Sequence, residues 1–146
     1  MLKCWAINPN IAQINESIRI NMNLNQVTVP VRNVETSIQF YEQLGLRLIV
    51  RALPHYARFE CPDGEATFSL HLSPALESAG TGVWVYFECE DLDTQVENLI
   101  KKGVSFAELP NDKTWLWREA HLSDPDGHKI ILYWAGINRK NPPWRV

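Results

Sequence analysis

The chain has 146 residues, of which 45% are hydrophobic and 21% are charged, a composition typical of one soluble globular domain. Its net charge of -3 excludes the positive field that collects nucleic acid or anionic lipid, and no apolar run reaches the roughly 18 residues that a membrane span needs. The three cysteines, Cys4, Cys61 and Cys89, lie far apart without metal-site spacing, so reduced thiols in a cytoplasmic protein are expected. Together with the charge and hydropathy, this predicts no nucleic-acid or membrane partner.

An N-terminal extension, residues 1–21, precedes a single predicted domain over residues 22–146. The domain opens with a strand whose alternation divides its side chains between two faces. Val27, Val29 and Val31 fall on the face that is predicted to pack under a helix. The opposite face carries Gln26, Thr28 and Pro30.

An amphipathic helix follows, with Tyr41 in its apolar stripe and Gly45 suited to a left-handed C-terminal cap. Three more strands complete this half of the domain, and a Pro62-Asp63-Gly64 turn joins the last two. These strands are predicted over residues 46–53, 55–61 and 66–72.

The same order of elements then occurs a second time. Shifting the first strand and helix by 58 positions (Val85 minus Val27) places them on a similar pattern, and the turn recurs as Pro125-Asp126-Gly127. Such an internal repeat predicts architecture before any single element is assigned. The elements predicted for the second copy are a strand over residues 83–89, a helix over 93–102, and strands near 104–106, over 115–122 and over 129–134.

Each copy is therefore a β-α-β-β-β module: module one covers residues 23–74, module two covers 83–135, and a tail covers 136–146. One four-stranded sheet with a single helix cannot bury both of its faces, so the helices are expected outside and a concavity between the sheets. The predicted fold class is α+β, with two βαβββ modules forming a curved mixed sheet around a cavity. The residues expected to bind a ligand there are Gln26, Ser69, His71, Trp84, Tyr86, Glu88, Trp117, His121 and Tyr133.

Two of these residues are candidates for proton transfer. His71 is the best single acid–base candidate by residue type, although a lone strand histidine is often simply hydrogen-bonded to a neighbour. Glu88 is either a partly desolvated carboxylate in the cavity or the ion-pair partner of Lys129. His128, directly after the second turn, is expected to be exposed to solvent.

A run of alternating residues adds aromatic character to the same face. Trp115, Trp117, Glu119 and His121 share one side of their predicted strand. Two tryptophans beside a carboxylate and an imidazole suit stacking against a planar or cationic ligand. The alternative is that one tryptophan completes the core and the other covers a dimer contact.

Three segments of the chain resemble the vicinal-oxygen-chelate superfamily, which groups glyoxalase I, bleomycin-resistance proteins and extradiol dioxygenases. The likeness extends over residues 23–135 and implies paired βαβββ modules, with a homodimer that closes the open groove. The segments that carry it are VPVRNVETSIQFYEQLGLRL, YFECEDLDTQVENLIKKG and DPDGHKIILY.

The resemblance also implies where a metal would bind. Members that do metal chemistry have His or Gln, Glu, His and Glu at four cavity positions, and the matching positions here hold Gln26, Ser69, Trp84 and Ile131. Of these four residues, only Gln26 has a side-chain oxygen of a kind that the family uses as a metal ligand, whereas a divalent cation needs about three protein donors. The resemblance therefore implies a lost metal site, with no metal ligands and no cofactor.

These expectations favour a small-molecule-binding protein of the bleomycin-resistance type, without a complete metal site, that takes an aromatic or cationic ligand in the inter-sheet cavity. The alternative is a lyase, isomerase or ring-cleaving dioxygenase with a divalent metal held by Gln26, His71 and a third donor. Glu88, Glu119 or His121 would supply that third donor.

Overall fold

A computed structural model describes residues 22–77 and 82–146, so the predicted extension over residues 1–21 lies outside the described residues. Module one consists of β1 (Gln26–Val31), α1 (Val34–Gln43), β2 (Arg47–Ala52), β3 (Tyr56–Glu60) and β4 (Thr67–Leu72). Module two consists of β5 (Trp84–Glu88), α2 (Leu92–Lys101), β6 (Glu108–Asp112), β7 (Arg118–Ser123) and β8 (Lys129–Trp134), and a 3₁₀ turn (Gly136–Arg139) follows.

Each module forms its own four-stranded mixed sheet. Sheet A has the order β1-β4-β3-β2 and sheet B the order β5-β8-β7-β6. The first strand of each module runs parallel to the last one, and the other pairs are antiparallel. The helix returns the chain to the same end of the sheet, so the second strand runs parallel to the first. Two antiparallel connections then make the last strand parallel to the first as well. This arrangement confirms the predicted α+β fold class of two βαβββ modules.

The two helices begin and end where the sequence provides suitable residues. The Asn33 side chain accepts a hydrogen bond from the backbone N–H of Thr36 at 2.9 Å, which caps α1. Gly45 follows α1 with a φ of 101°, a conformation that glycine adopts at little cost. Along α1 the buried face includes Val34, Ile38 and Tyr41, and along α2 it consists of Leu92, Val96 and Leu99.

One apolar core joins the helix-facing sides of both sheets, as strand alternation predicted. Val29 and Val31 of β1 lie in it together with Val85 of β5. Phe68 of sheet A meets Phe87 of sheet B with ring centroids 5.8 Å apart. Because side chains alternate along a strand, the residues predicted to bind a ligand project from the opposite faces, away from this core.

Two strands of module two lie at other positions than predicted. The strand expected near residues 104–106 is β6, which begins at Glu108, because buried Val104 and partly buried Phe106 pack in the core ahead of the strand. The strand expected from Trp115 begins at Arg118, since the chain turns before it and Leu116 has a φ of 67°. Before β6 the apolar pattern marks core packing, whereas before β7 Trp115 and Leu116 are exposed at a turn; in neither place does it mark strand pairing.

A buried polar contact ties module two to module one, and we call it the closed junction. Asp126 accepts from the backbone N–H of Arg32 at 3.0 Å, from Arg32 Nε at 2.9 Å and from Ser37 Oγ at 3.4 Å. Asp124 accepts from the Tyr41 hydroxyl at 2.7 Å. Burial, followed by the negative charge of Asp124, raises the pKa of Tyr41 far above its usual range, so the phenol stays protonated and donates.

His128 belongs to the closed junction, and the expectation that it is exposed was wrong. Its side chain is 5% exposed, and its Nε2 lies 2.6 Å from the carbonyl oxygen of Pro30. The partner is 98 positions away in the chain, which no local pattern indicates.

Among the helices of the two described ranges, none is long and apolar enough to cross a membrane.

Candidate functional site

The structure divides the nine predicted ligand-binding residues between the two sheets. Three lie on sheet A: Gln26, Ser69 and His71. The other six lie on sheet B or directly before β7: Trp84, Tyr86, Glu88, Trp117, His121 and Tyr133.

On sheet A, hydrogen bonds hold the polar residues in a closed network. Gln26 Nε2 donates to Ser69 Oγ at 2.6 Å, and the Gln26 side-chain oxygen accepts from the Thr67 hydroxyl. Tyr56 shares a hydrogen bond of 2.8 Å with Ser69 Oγ, and Arg58 Nε donates to the Tyr56 hydroxyl at 2.8 Å. Sequence reasoning had left Tyr56 and Arg58 out of the site, although Arg58 pairs directly with Ser69 in the β3–β4 register.

His71 lies on the same strand as Ser69 but far from Gln26. In the parallel register Gln26 pairs with Thr67, whereas His71 pairs with Pro30. The four residue steps from Gln26 to Pro30 span about 13 Å at about 3.3 Å per residue in a strand. Gln26 and His71 of one chain therefore cannot bind the same cation, and His71 is exposed.

Sheet B carries four aromatic side chains on its open face, which we call the aromatic surface: Trp84, Tyr86, Trp117 and Tyr133. Trp117 and Tyr133 stack with ring centroids 4.8 Å apart and an interplanar angle of 22°. Tyr86 stands edge-on to both rings, at 5.8 Å and 5.5 Å. These are the offset-stacked and T-shaped geometries that aromatic quadrupoles favour, so the rings form a preorganised platform.

The aromatic surface remains partly uncovered. Trp84 is 51% exposed and Tyr86 is 39% exposed. Lys129 Nζ lies 3.9 Å from the ring centroid of Trp84, which shows that this ring face accepts a cation. Burial, and to a lesser extent the charge of Glu119, raises the pKa of Tyr86, so its hydroxyl is a hydrogen-bond donor at neutral pH.

A buried carboxylate, Glu119, borders the aromatic surface. It is 1% exposed, accepts from Trp115 Nε1 at 2.8 Å, and lies 2.8 Å from His121 Nε2. The other ring nitrogen of His121 lies 3.6 Å from Glu108. The pKa of Glu108 is lowered to about 2, chiefly by a hydrogen bond from Lys113 and next by one from Asn111. The shared face predicted for Trp115, Glu119 and His121 agrees with these contacts.

Glu88 pairs with a residue of the tail. Its carboxylate lies 3.8 Å from Arg139 Nε, whereas Lys129, the partner considered in the sequence, lies over Trp84 instead. Arg139 belongs to the 3₁₀ turn that follows β8, and nothing in the local sequence indicated this contact.

The part of the chain that carries these clusters matches a known family. The model of the Glyoxalase/Bleomycin resistance protein/Dioxygenase superfamily matches residues 23–132. The chain belongs to this superfamily.

Individual relatives agree with this assignment. Uncharacterized protein YraH of Bacillus subtilis (strain 168) is 31% identical over 127 residues, which cover 77% of this chain and 98% of that protein. The crystal structure of a glyoxalase/bleomycin resistance protein/dioxygenase from Nocardioides has a TM-score of 0.70 at 24% identity, covering 94% of this chain and 97% of that one. A bleomycin-binding protein complexed with bleomycin has a TM-score of 0.63 at 20% identity, covering 78% of this chain and 98% of that one. The two structures share the fold with this chain.

The superfamily's metal positions do not fit a divalent cation in this chain. Gln26 and Ser69 are bonded to each other on sheet A, Trp84 offers only an indole N–H, and Ile131 is fully buried among apolar neighbours. Over residues 22–77 and 82–146, no group of three or more His, Cys, Asp or Glu side chains is placed to hold a metal ion. The donor chemistry therefore disagrees with a metal-dependent reaction at this position.

We expect chelator-washed protein to retain well below about one ion per chain after incubation with Mn, Fe, Ni or Zn salts, because too few donors converge. Elemental analysis by mass spectrometry checks this, with the Gln26→Ala variant as control. Tight binding of about one ion per chain that disappears in Gln26→Ala would contradict it and favour the metal-dependent alternative.

Proposed function

We propose that this member of the superfamily binds a small aromatic or cationic molecule on the aromatic surface, without a metal ion. The observation that carries the proposal is the stacked Trp117–Tyr133 pair beside the exposed ring of Tyr86, with Trp84 exposed two residues earlier on the same strand. Solvent-exposed tryptophan and tyrosine on a rigid sheet offer a large contact area at a low cost in conformational entropy.

The surrounding charges support a planar ligand with cationic character. Glu119 borders the platform, opposite Tyr133 on the neighbouring strand, and Glu88 is the last residue of the strand that carries Trp84 and Tyr86. The cation above Trp84 is supplied by the chain's own Lys129, so a ligand ammonium would compete with that side chain. A planar aromatic cation would use ring stacking and charge together.

The Trp117→Leu variant is expected to weaken binding of 1-methylquinolinium at least about fivefold, because it removes one ring of the stacked pair. Loss of an aromatic stacking partner removes about 1–3 kcal/mol, and about 1.4 kcal/mol corresponds to a factor of ten. Isothermal titration calorimetry checks this. Trp144→Leu is the matched control, since Trp144 is 55% exposed on the tail.

Two results would overturn the proposal. One is the absence of saturable binding by any member of a small set of aromatic cations. The other is an equal loss of affinity in Trp117→Leu and Trp144→Leu, which would show non-specific contact with exposed indoles.

We further propose that the protein is a cytoplasmic homodimer in which a second copy borders the aromatic surface. Support comes from the two large aromatic side chains, Trp84 and Tyr86, that one chain leaves uncovered. Sedimentation velocity should give twice the chain mass of 16.8 kDa. Trp84→Glu should shift the protein towards monomer, while Trp144→Glu should not. A monomer for the unmodified chain at micromolar concentration would refute the dimer.

A further inference from the structure

The internal repeat gives the molecule a second junction, equivalent to the closed one. In the closed junction the Pro125-Asp126-Gly127 turn of module two meets the start of α1. In the equivalent place, the Pro62-Asp63-Gly64 turn of module one faces the start of α2 across a groove. We call this second place the open junction.

The ion pair of the closed junction has no equivalent in the open one, because one of its two charges is reversed. Asp126 corresponds to Asp63 through the repeated turn. Arg32 corresponds to Glu90, 58 positions further on (90 minus 32), directly before the helix N-cap residue in both modules. Where Arg32 Nε meets Asp126 at 2.9 Å, a glutamate therefore faces an aspartate. Two carboxylates cannot form the ion pair that seals the closed junction, and the equivalent place in the open junction is a groove.

The open junction encloses a groove of about 600 Å³ with an apolar floor and an acidic rim. Leu44, Leu46, Phe87 and Leu132 contribute the floor. Among the described residues that line it, none is Lys, Arg or His, and the carboxylates on the rim are Asp63, Glu65, Glu88, Glu90 and Asp91.

Little within the chain neutralises this rim. Over the two described ranges, Glu88 is the one rim carboxylate in an ion pair, with Arg139 at 3.8 Å. Cys61 and Cys89 also line the groove, and burial raises the pKa of both thiols, that of Cys89 to about 11. The thiols are therefore neutral near pH 7, so the charge of the groove is that of its carboxylates.

We propose that the open junction binds an organic cation, namely a guanidinium or primary ammonium group on a short apolar chain. The closed junction shows the matching contact, because there the guanidinium of Arg32 bridges to the aspartate of the same turn motif. The apolar floor receives the chain, and the volume lies within the usual range of about 300–1,000 Å³ for small-molecule sites. Tyr86 and Glu88 border both this groove and the aromatic surface, but the site does not depend on the function proposed there, which rests on the Trp117–Tyr133 pair.

The test is a calorimetric titration of the full chain with butylguanidinium at low ionic strength. We expect saturable binding of one molecule per chain, with no binding of neutral butanol. Glu90→Arg places a guanidinium where the closed junction has Arg32, and it should weaken binding at least tenfold. Glu97→Arg makes the same charge change on an exposed face of α2, away from the groove, and should stay within twofold of the unmodified protein.

Four outcomes would overturn the proposed site. An equal loss in Glu97→Arg would indicate a general charge effect, and equal binding of butanol would indicate an apolar contact alone. Loss in Trp117→Leu would place the cation on the aromatic surface instead. If Glu90→Arg does not fold, Glu90→Gln takes its place in the test and should weaken binding about threefold to fivefold. Unchanged affinity in both Glu90 variants would refute the proposal.

Discussion

Replacing Tyr41 by alanine is expected to lower the free energy of unfolding by about 4 kcal/mol, within the range of about 3–5 kcal/mol for large aromatic residues in cores. Tyr41 is fully buried, and its ring contacts Phe40, Phe59 and Phe68 at centroid distances of 5.1, 5.9 and 4.6 Å. Its hydroxyl donates to Asp124 at 2.7 Å. The change therefore removes packing in module one and a bond to module two together. Urea denaturation followed by circular dichroism measures the loss.

Two further variants separate these contributions. Tyr41→Phe keeps the ring and should cost about 1.5–3 kcal/mol, the usual value for a hydrogen bond to a charged group. Ile100→Ala, on the exposed side of α2, should change the free energy of unfolding by less than about 0.5 kcal/mol. A cost for Tyr41→Phe as large as that for Tyr41→Ala would show that ring packing contributes nothing, contrary to the core described above.

Asp126→Ala is expected to destabilise the protein by about 2–3 kcal/mol, whereas Asp63→Ala should change stability by less than about 0.5 kcal/mol. The two aspartates occupy the same place in the repeated turn, so each is the control for the other. Asp126 is 6% exposed, and its loss leaves the buried Ser37 hydroxyl and the Arg32 backbone N–H without an acceptor. Asp63 is exposed, and among the described residues it shares its groove with other carboxylates and with no basic side chain.

Urea denaturation of both variants and of Asp126→Asn gives the comparison. The asparagine retains one side-chain oxygen for the Arg32 N–H but loses the charge, so its cost should lie between those of Asp63→Ala and Asp126→Ala. Equal costs for Asp126→Ala and Asp63→Ala would show that the two junctions are energetically alike, which would remove the basis for an open junction.

The sequence by itself determined the architecture. The 58-residue shift between the copies predicted two βαβββ modules, since each repeated unit must bury one face against its neighbour. Alternation along β1 and β5 predicted which valines lie under the helices, and Gly45 predicted where α1 ends. These features are local, with periods of two or 3.6 residues, and a single chain displays them directly.

Only the tertiary structure decided where charges meet. His128 bonds to Pro30 across 98 positions, Asp126 bonds to Arg32 across 94, and Glu88 pairs with Arg139 rather than with Lys129. Such contacts depend on how one module docks on the other, and no local pattern encodes that geometry. At equivalent places of the repeat, one junction contains an arginine and the other a glutamate. Docking turns that exchange into an ion pair between half-exposed Arg32 and buried Asp126 on one side and into a groove on the other, because opposite charges attract and two carboxylates cannot form an ion pair.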